Sequence, residues 1–250
     1  MSDQNSGTRV KKTAVITGAG SGVGRAIAVR LSEEGWDAAL IGRTRSRIEE
    51  TATLCGRNSG KFGCYECDVG DAGRVAGAAS AILADFPRVD AVINAAGENI
   101  PDRSLEVLSA GDFEKVVRTN LNGSFLVLRE FLPRMRSQKS GTIINIVSDV
   151  GLLANAKAGV AYCASKFGQG AMIQSINREE QVHGIRACAL FPGDINTPLL
   201  DKRREPPPEE ARLKMLQPED LVDCVCLVLN LPARAVVEQI VIRPRFPKTT

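Results

Sequence analysis

The 250-residue sequence has little of what several classes of protein require. It contains one histidine, and no grouping of His, Asp and Glu indicates a metal site. No apolar run approaches the roughly 18 residues that suggest a membrane span. Residues 1–12 lack the apolar stretch of a signal peptide. We therefore expect a cytoplasmic protein with no metal and no membrane partner, with residues 1–11 as a flexible leader and residues 12–250 as one domain.

An excess of charge of one sign is also missing. The chain has 32 Lys and Arg against 29 Asp and Glu, a net charge of +3. A general nucleic-acid binder would show a concentrated basic face. The basic runs here are short, at residues 43–47 and 202–204. We therefore expect no nucleic-acid partner.

The seven cysteines are an odd number in a chain without a secretion signal, which predicts reduced thiols. Cys64 and Cys67 have the Cys-x-x-Cys spacing of redox pairs and zinc sites. They lie in an extended-looking run, where side chains three residues apart point to opposite faces. No second pair completes a zinc tetrahedron. We interpret both as buried or half-buried thiols.

Short apolar runs alternate with helical patterns along the chain. Helical spacing recurs up to about residue 34, over 45–56, over 75–86, from 110 through 121–137, over 160–182 and over 218–230. The apolar runs predict strands at 14–17, 38–41, 62–67, 89–94, 142–147, 185–191 and 237–242. This alternation predicts a doubly wound parallel sheet of about seven strands, flanked by helices on both faces. A ligand crevice is expected beyond the carboxyl ends of the strands.

A glycine-rich turn follows the first strand. Its residues are Thr17, Gly18, Ala19, Gly20, Ser21, Gly22, Val23 and Gly24. Glycines allow close backbone approach, and the N-terminus of the following helix offers N–H groups to a pyrophosphate. The spacing differs from the G-x-G-x-x-G fingerprint, and a glycine turn also serves ordinary strand–helix connections. By itself it therefore leaves both interpretations open.

The end of the second predicted strand points to the kind of dinucleotide. An acidic residue about 20 positions after the glycines would bind a ribose 2′-hydroxyl. This chain has Gly42, Arg43 and Thr44 there instead. A guanidinium suits a 2′-phosphate, so we predict NADP(H) in preference to NAD(H), which stays an alternative. The alternative is that Arg43 is a solvent-exposed residue at the start of the next helix and has no role in cofactor binding.

Tyr162 and Lys166 stand four residues apart, so they share one face of the predicted helix. A tyrosine with its ordinary pKa near 10 is a poor acid–base catalyst at neutral pH. We expect the ammonium of Lys166 to favour the phenolate and to lower the pKa of Tyr162. Together with the glycine-rich turn, the pair indicates an oxidoreductase.

From about residue 12 to 242 the chain resembles the short-chain dehydrogenase/reductase family, which has a Rossmann-type fold. The family's T-G-x-x-x-G-x-G motif matches residues 17–24, its Y-x-x-x-K matches Tyr162 to Lys166, and its P-G-x-x-x-T matches Pro192, Gly193 and Thr197. Further matches are the adenine-contacting pair Asp68 and Val69, the Asn94, Ala95, Ala96 and Gly97 motif, the helix Asn120, and the catalytic Ser148. The motif has Ala95 where Asn is frequent.

The resemblance implies catalytic roles for Asn120, Ser148, Tyr162 and Lys166. Tyr162 would act as general acid or base, Ser148 would hydrogen-bond the substrate oxygen, and Lys166 would stabilise the phenolate and hold the nicotinamide ribose. Asn120 would hold a water that links Lys166 to solvent. Asn94 and Gly97 would line the cofactor ribose. Thr197 and the backbone of Ile195 would anchor the carboxamide.

The resemblance further implies a homotetramer or homodimer formed through the helices of Asn120 and Tyr162. The substrate is expected to be a small carbonyl or alcohol compound, with 3-oxoacyl and hydroxy-acid compounds as candidates. Its pocket is expected from residues 98–100, from Leu152, Leu153 and Asn155, and from a lid at about 196–216. The basic residues 202–204 fit either an acidic substrate or carrier protein or a solvated loop, and the solvated loop is the expectation. An inactive dinucleotide sensor on the same fold is an alternative function, and the glycine spacing and short substrate segment disfavour a nucleotide-sugar epimerase.

Overall fold

The computed structural model describes residues 11–56 and 60–245, so residues 1–10 of the expected leader lie outside the described residues. Seven strands are described, and each forms where the sequence is apolar. They are β1 (Thr13–Thr17), β2 (Asp37–Gly42), β3 (Phe62–Glu66), β4 (Ala91–Asn94), β5 (Gly141–Ile146), β6 (Ile185–Pro192) and β7 (Gln239–Ile242).

Helices connect the strands. They are α1 (Gly22–Glu33), α2 (Arg45–Cys55), α3 (Ala72–Asp85), α4 (Ala110–Val117), α5 (Gly123–Gln138), α6 (Val160–Glu180), α7 (Glu209–Leu213) and α8 (Pro218–Asn230). Helix α3 begins three residues before its apolar pattern, because the Asp71 carboxylate accepts a hydrogen bond from the Arg74 N–H and caps the helix. A π-helical turn, Arg118–Asn122, joins α4 to α5 without a break. None of the described helices is long and apolar enough to cross a membrane.

The strands form one parallel sheet in the order β3-β2-β1-β4-β5-β6-β7. The chain runs outward in one direction from β1 to β3, and in the other from β4 to β7. The reversal lies between β1 and β4, whose last residues, Thr17 and Asn94, are register partners. In sheets of this type the loops at the reversal leave a crevice beyond the carboxyl ends of the strands. The predicted doubly wound sheet is confirmed.

Alternate residues of each strand serve opposite faces of the sheet. In β1, Ala14 and Ile16 pack into the cluster that holds α1, α2 and α8, whereas Val15 packs into the cluster that holds α3, α5 and α6. Both clusters are sealed from solvent, which explains why the strands are apolar on both faces. The helices thus clamp the sheet and fix the positions of the loops that emerge from its carboxyl edge.

Candidate active site

A cleft of about 870 Å³ opens at the carboxyl ends of β1, β2, β4, β5 and β6. Most residues predicted to touch cofactor or substrate line it. They are Gly18, Gly20, Ser21, Gly22, Val23, Gly24, Arg43, Thr44, Val69, Ala95, Ala96, Gly97, Ser148, Tyr162, Lys166, Pro192, Gly193, Ile195 and Thr197. Residues far apart in sequence therefore meet in one cleft. Its two ends differ in construction.

The glycine-rich turn forms one end of the cleft, and its backbone is packed too tightly for side chains. Gly18 has a φ of +67°, and a Cβ there would lie 2.8 Å from the Ala95 carbonyl oxygen. A Cβ on Gly24 would lie 2.4 Å from the carbonyl oxygen of Gly18. The turn leads directly into α1, whose first N–H groups have no partners within the helix. This cradle fits a pyrophosphate held by backbone N–H groups.

Four residues predicted for the site do not line the cleft but stand behind its wall. The hydroxyl of Thr17 accepts hydrogen bonds from the N–H groups of Ala95 and Ala96, both at 3.1 Å. The others are Asp68, which accepts from the Gly70 N–H, Asn94, which donates to the Asn145 side chain, and the fully buried Asn120. Direct contact of these four residues with a cofactor stays a prediction.

Arg43 lines the cleft beyond the glycine turn and is held by a partner that the sequence did not reveal. Its guanidinium lies 3.0 Å from a carboxylate oxygen of Glu98, which is buried. Glu98 also accepts a hydrogen bond from the Thr119 hydroxyl at 2.8 Å. The guanidinium of Arg43 is still half-exposed to the cleft, and Arg47 lines the cleft nearby. Two guanidiniums therefore stand at the end of β2, where the sequence predicts a 2′-phosphate.

Ser148 and Tyr162 meet in the middle of the cleft. Ser148 follows β5, Tyr162 lies in the first turns of α6, and the Ser148 hydroxyl is near enough to influence the Tyr162 phenol. Burial raises the pKa of Tyr162 to about 12, against the opposing effects of the Ser148 hydrogen bond and the charge of Arg203. The phenol is therefore protonated at neutral pH.

Lys166 faces the same cleft, but its amine is directed to the protein. Its Nζ donates to the Ile146 carbonyl at 3.0 Å and to Oε1 of Gln169 at 2.8 Å, and it lies 5.5 Å from the centre of the Tyr162 ring. Burial lowers the pKa of Lys166 to about 7. The expectation that Lys166 lowers the pKa of Tyr162 is wrong for the protein alone, because burial opposes charge on both groups.

Asn120 is engaged entirely with protein groups. Its side chain accepts from the Glu98 N–H at 2.8 Å and donates to the Glu98 carbonyl at 3.0 Å and the Ser165 hydroxyl at 3.1 Å. Its backbone carbonyl accepts from Nε2 of Gln169 at 2.8 Å. The fully buried Gln169 amide thus joins Lys166 to the Asn120 backbone, and the expected water that links Lys166 to solvent stays a prediction. Gln169 and Lys166 are three residues apart, which was the available signal.

A family model described as short chain dehydrogenase matches residues 12–208. The chain belongs to the short-chain dehydrogenase family. It is similar to a D-threitol dehydrogenase of Mycolicibacterium smegmatis, at 33% identity over 82% of this chain and 78% of that protein. It is also similar to an alcohol dehydrogenase of the archaeon Thermococcus sibiricus, solved with 5-hydroxy-NADP, at 28% identity, a TM-score of 0.85 and coverage of 96% and 99%.

A third relative is a metagenomic short-chain oxidoreductase solved with NADP. It is 27% identical, with a TM-score of 0.81 and coverage of 94% of this chain and 98% of that one. The similarity spans the whole sheet and both ends of the cleft. The fold and the family expected from the sequence motifs are therefore confirmed.

The other end of this short-chain dehydrogenase's cleft is built from side chains of irregular segments. Of the residues expected there, Asn99, Ile100, Asn155, Leu199 and Leu200 line the cleft. The expectation is wrong for Leu152, Leu153 and Glu98, which lie outside the lining. The first two are exposed on the short turn after β5, and Glu98 is turned inward to Thr119.

The basic segment 202–204 lines the mouth of the cleft with Lys202 and Arg204 exposed, so its expected role as a solvated loop stays a prediction. Arg203 pairs with Asp194 at 3.2 Å, and Arg204 pairs with Asp102. These ion pairs draw the segment over the opening. Arg103 and Lys157, which the sequence did not single out, also line this end. The substrate end of the cleft is therefore rich in positive charge.

The segment expected to form a lid, at about 196–216, has both ends tied together. Ile195 and Leu216 form a parallel bridge, and the Asn196 N–H donates to the Leu216 carbonyl at 2.8 Å. Between them lie a short helical turn, Pro198–Lys202, and α7. An ion pair between Asp201 and Arg212 joins these two elements. The segment is thus a closed loop with internal structure at the cleft mouth.

Proposed function

We propose that the protein is an NADP(H)-dependent oxidoreductase that transfers a hydride between the nicotinamide and a secondary alcohol or ketone. The observation that carries this proposal is the convergence of Ser148, Tyr162 and Lys166 on the cleft that the glycine turn enters. The glycine cradle, which a Cβ would fill, fits a dinucleotide. When bound, the nicotinamide supplies the hydride.

The chain's own groups supply the proton chemistry. Because its pKa is raised to about 12, the Tyr162 phenol carries a proton that it can give to a carbonyl oxygen during reduction. Ser148 donates a hydrogen bond to the same oxygen, where negative charge develops. Lys166 stabilises the phenolate that remains, and the Gln169 amide keeps its amine in place. In the oxidation direction the same groups act in reverse.

The preference for NADP(H) is supported by the end of β2. Gly42, Arg43 and Thr44 provide no carboxylate for a ribose 2′-hydroxyl, and Arg43 with Arg47 would hold a 2′-phosphate. Two of the similar structures contain NADP or a derivative of it. The adenosine end would rest against Val69, Ala95 and Ala96, and the nicotinamide end against the segment from Pro192 to Thr197, with 196–216 as a lid.

We further propose a homotetramer or homodimer formed through α5 and α6. Phe125 on α5 and Phe167 on α6 are both about half-exposed, and an interface through these two helices would bury them. Light scattering after size-exclusion chromatography measures the mass. A monomer at micromolar concentration would contradict the assembly while leaving the activity untouched.

The decisive experiment is a screen of ketones and alcohols with all four cofactors. NADPH oxidation and NADP⁺ reduction are recorded beside NADH and NAD⁺ at 340 nm, with the cofactor alone as a blank. We expect turnover with several ketones and a clear preference for the phosphorylated cofactor. Tight NADPH binding without turnover of any compound would favour the inactive sensor instead.

A further inference from the structure

The substrate end of the cleft contains a guanidinium whose position is set by the helix of Tyr162. Gly159, directly before α6, has a φ of +83°, and a Cβ there would lie 2.7 Å from the Cβ of Arg103. Arg103 therefore packs against the start of α6, one turn before Tyr162. Its side chain is half-buried and lines the cleft. The absence of a side chain at Gly159 is what allows Arg103 to approach the helix this closely.

Arg103 differs from Arg203 and Arg204, which also line this end of the cleft, because both of those guanidiniums have a carboxylate partner. Over residues 11–56 and 60–245, no carboxylate forms an ion pair with Arg103. The charges that act on the pKa of Arg103 are those of Arg203 and Tyr162. Burial and the charge of Arg203 both lower the pKa of Arg103. A half-buried cation beside a second cation is unfavourable, and such an arrangement marks a place for an anion.

Arg203 is the second guanidinium of this arrangement. Arg103, Arg203 and Tyr162 all line the same cleft, and the charge of Arg203 acts on both of the other groups. Arg203 is paired with Asp194 at 3.2 Å, which fixes its direction but leaves further donors on the guanidinium. Both arginines therefore face the cleft that also contains the phenol proposed to handle the substrate proton.

We propose that Arg103 and Arg203 form a subsite for an oxyanion carried by the substrate, a carboxylate or a phosphate near its reacting carbonyl. The inference rests on the proposed function, and it narrows the substrate from ketones in general to anionic ones. Two guanidinium forks bind such a group through charge-assisted hydrogen bonds, and the bound anion cancels the repulsion between them. The anion then holds the carbonyl at Tyr162 and Ser148.

Matched substrate pairs test the subsite by turnover. Acetoacetate and 4-oxopentanoate are compared with their methyl esters, and dihydroxyacetone phosphate with dihydroxyacetone, each with NADPH. We expect kcat/KM to be at least about tenfold higher for the anion of the preferred pair. In Arg103→Met this advantage is lost while kcat/KM for the neutral partner changes little. Equal use of anionic and neutral partners by the wild type would overturn the subsite and leave the proposed function standing.

The control variant is Arg234→Met, which removes an exposed cation from outside the cleft. Arg234 does not line the cleft, so it should not contribute to the subsite. We expect wild-type preference for the anionic substrate in this variant and partial preference in Arg103→Lys, which keeps the charge without the fork. A loss in Arg234→Met as large as in Arg103→Met would reduce the effect to the net charge of the protein.

A binding measurement decides the matter even if no compound is turned over. Sulfate is titrated calorimetrically into the wild type and Arg103→Met at constant ionic strength, with and without NADP⁺ to separate the pyrophosphate cradle. Saturable binding that weakens at least about tenfold in the variant supports the subsite. Superimposable isotherms contradict it. The melting temperature of Arg103→Met should equal or exceed that of the wild type, since an unpaired cation is removed, and a fall of several degrees would assign Arg103 a structural role instead.

Discussion

The two ends of the cleft are built on different principles. The cofactor end is made largely of backbone, with Gly18 and Gly24 packed so closely that no Cβ can enter. The substrate end is made of side chains from irregular segments, such as Arg103 and Lys157, brought together by loops that are distant in sequence. One end therefore has a shape determined by spacing along a single turn. The other depends on how several loops pack against one another.

This difference has a consequence for specificity. If the backbone cradle holds the pyrophosphate common to both nicotinamide cofactors, discrimination at that end falls to the few side chains beside it, chiefly Arg43. The lining of the proposed substrate end consists mainly of side chains, so a single substitution there could change the recognised group. The proposed catalytic pair of Ser148 and Tyr162 lines the same cleft. Substitutions in each part should therefore differ in what they affect.

The largest effect is expected at the point where the two ends meet. Tyr162→Phe removes the proton donor but keeps the ring, so turnover should fall by about 10³-fold or more while cofactor affinity is retained. The chain's second tyrosine, Tyr65, provides the control, since its hydroxyl donates to Asp85 away from the cleft. Tyr65→Phe should keep wild-type kcat. Turnover and NADPH fluorescence titration are measured for both variants, and near-normal turnover of Tyr162→Phe would overturn the mechanism.

Next in size is a change at the backbone cradle. Gly18→Ala introduces a Cβ within 2.8 Å of the Ala95 carbonyl oxygen at a φ of +67°, so the turn must shift. We expect cofactor affinity to fall by about 100-fold, measured by NADPH fluorescence titration. Gly77→Ala is the matched control, because a Cβ there meets nothing within 4 Å and α3 tolerates alanine well. Unchanged affinity in Gly18→Ala would show that the turn does not hold the pyrophosphate.

The contrast between an end built from backbone and an end built from side chains also explains how much of the site could be predicted from the sequence. The strands and the order of the fold follow from local apolar runs, and the glycine turn and the Tyr162–Lys166 spacing are visible because each lies within one short segment. Glu98 is different, because its role depends on Arg43, 55 residues earlier, and Thr119, 21 residues later. Arg103 likewise acquires its role only through packing on Gly159.

The protonation states of Tyr162 and Lys166 are a second feature that could not be predicted from the sequence. Spacing predicts that Lys166 and Tyr162 are near each other, and they are. It does not predict how deeply each is buried. Burial favours the neutral form of both groups, so it raises the pKa of Tyr162 and lowers the pKa of Lys166. Nor does spacing show that Gln169 connects Lys166 to Asn120, since the partner atoms belong to two helices. Local pattern thus locates the reacting groups, and tertiary packing sets their properties.

A smaller effect, confined to the cofactor end, is expected for Arg43. Arg43→Ala should raise the KM for NADPH by about 10- to 100-fold and leave the KM for NADH nearly unchanged, because only the phosphorylated cofactor loses a charge-assisted contact. Arg45→Ala is the control, since Arg45 pairs with Glu49 on the surface of α2. Initial rates with both cofactors give the ratio. An equal rise for NADH would mean that Arg43 acts through the Glu98 ion pair instead.

The smallest expected effect tests whether the hydrogen bond between Lys166 and Gln169 controls the protonation of Lys166. Gln169 Oε1 accepts a hydrogen bond from Lys166 and so favours its charged form, whose pKa burial lowers to about 7. Gln169→Leu should move this pKa further down, and Gln169→Glu should move it up, by on the order of one unit in each direction. The Lys166 limb in the pH dependence of kcat/KM should shift accordingly. Gln174→Glu, on the exposed side of α6, adds the same charge elsewhere and should leave the limb in place.

The pH dependence of the unfolding free energy measures the same shift in the pKa of Lys166, independently of turnover. The pKa of folded Lys166, about 7, lies below its ordinary 10.5, so between these values the unfolded chain binds more protons and the unfolding free energy contributed by Lys166 rises with pH. In Gln169→Glu the unfolding free energy should begin to rise at a higher pH than in the wild type. In Gln169→Leu it should begin to rise at a lower pH. Urea unfolding at several pH values, each compared with the wild type at the same pH, measures the change. If both variants follow the wild-type curve, then the amide of Gln169 holds Lys166 in place without setting its charge.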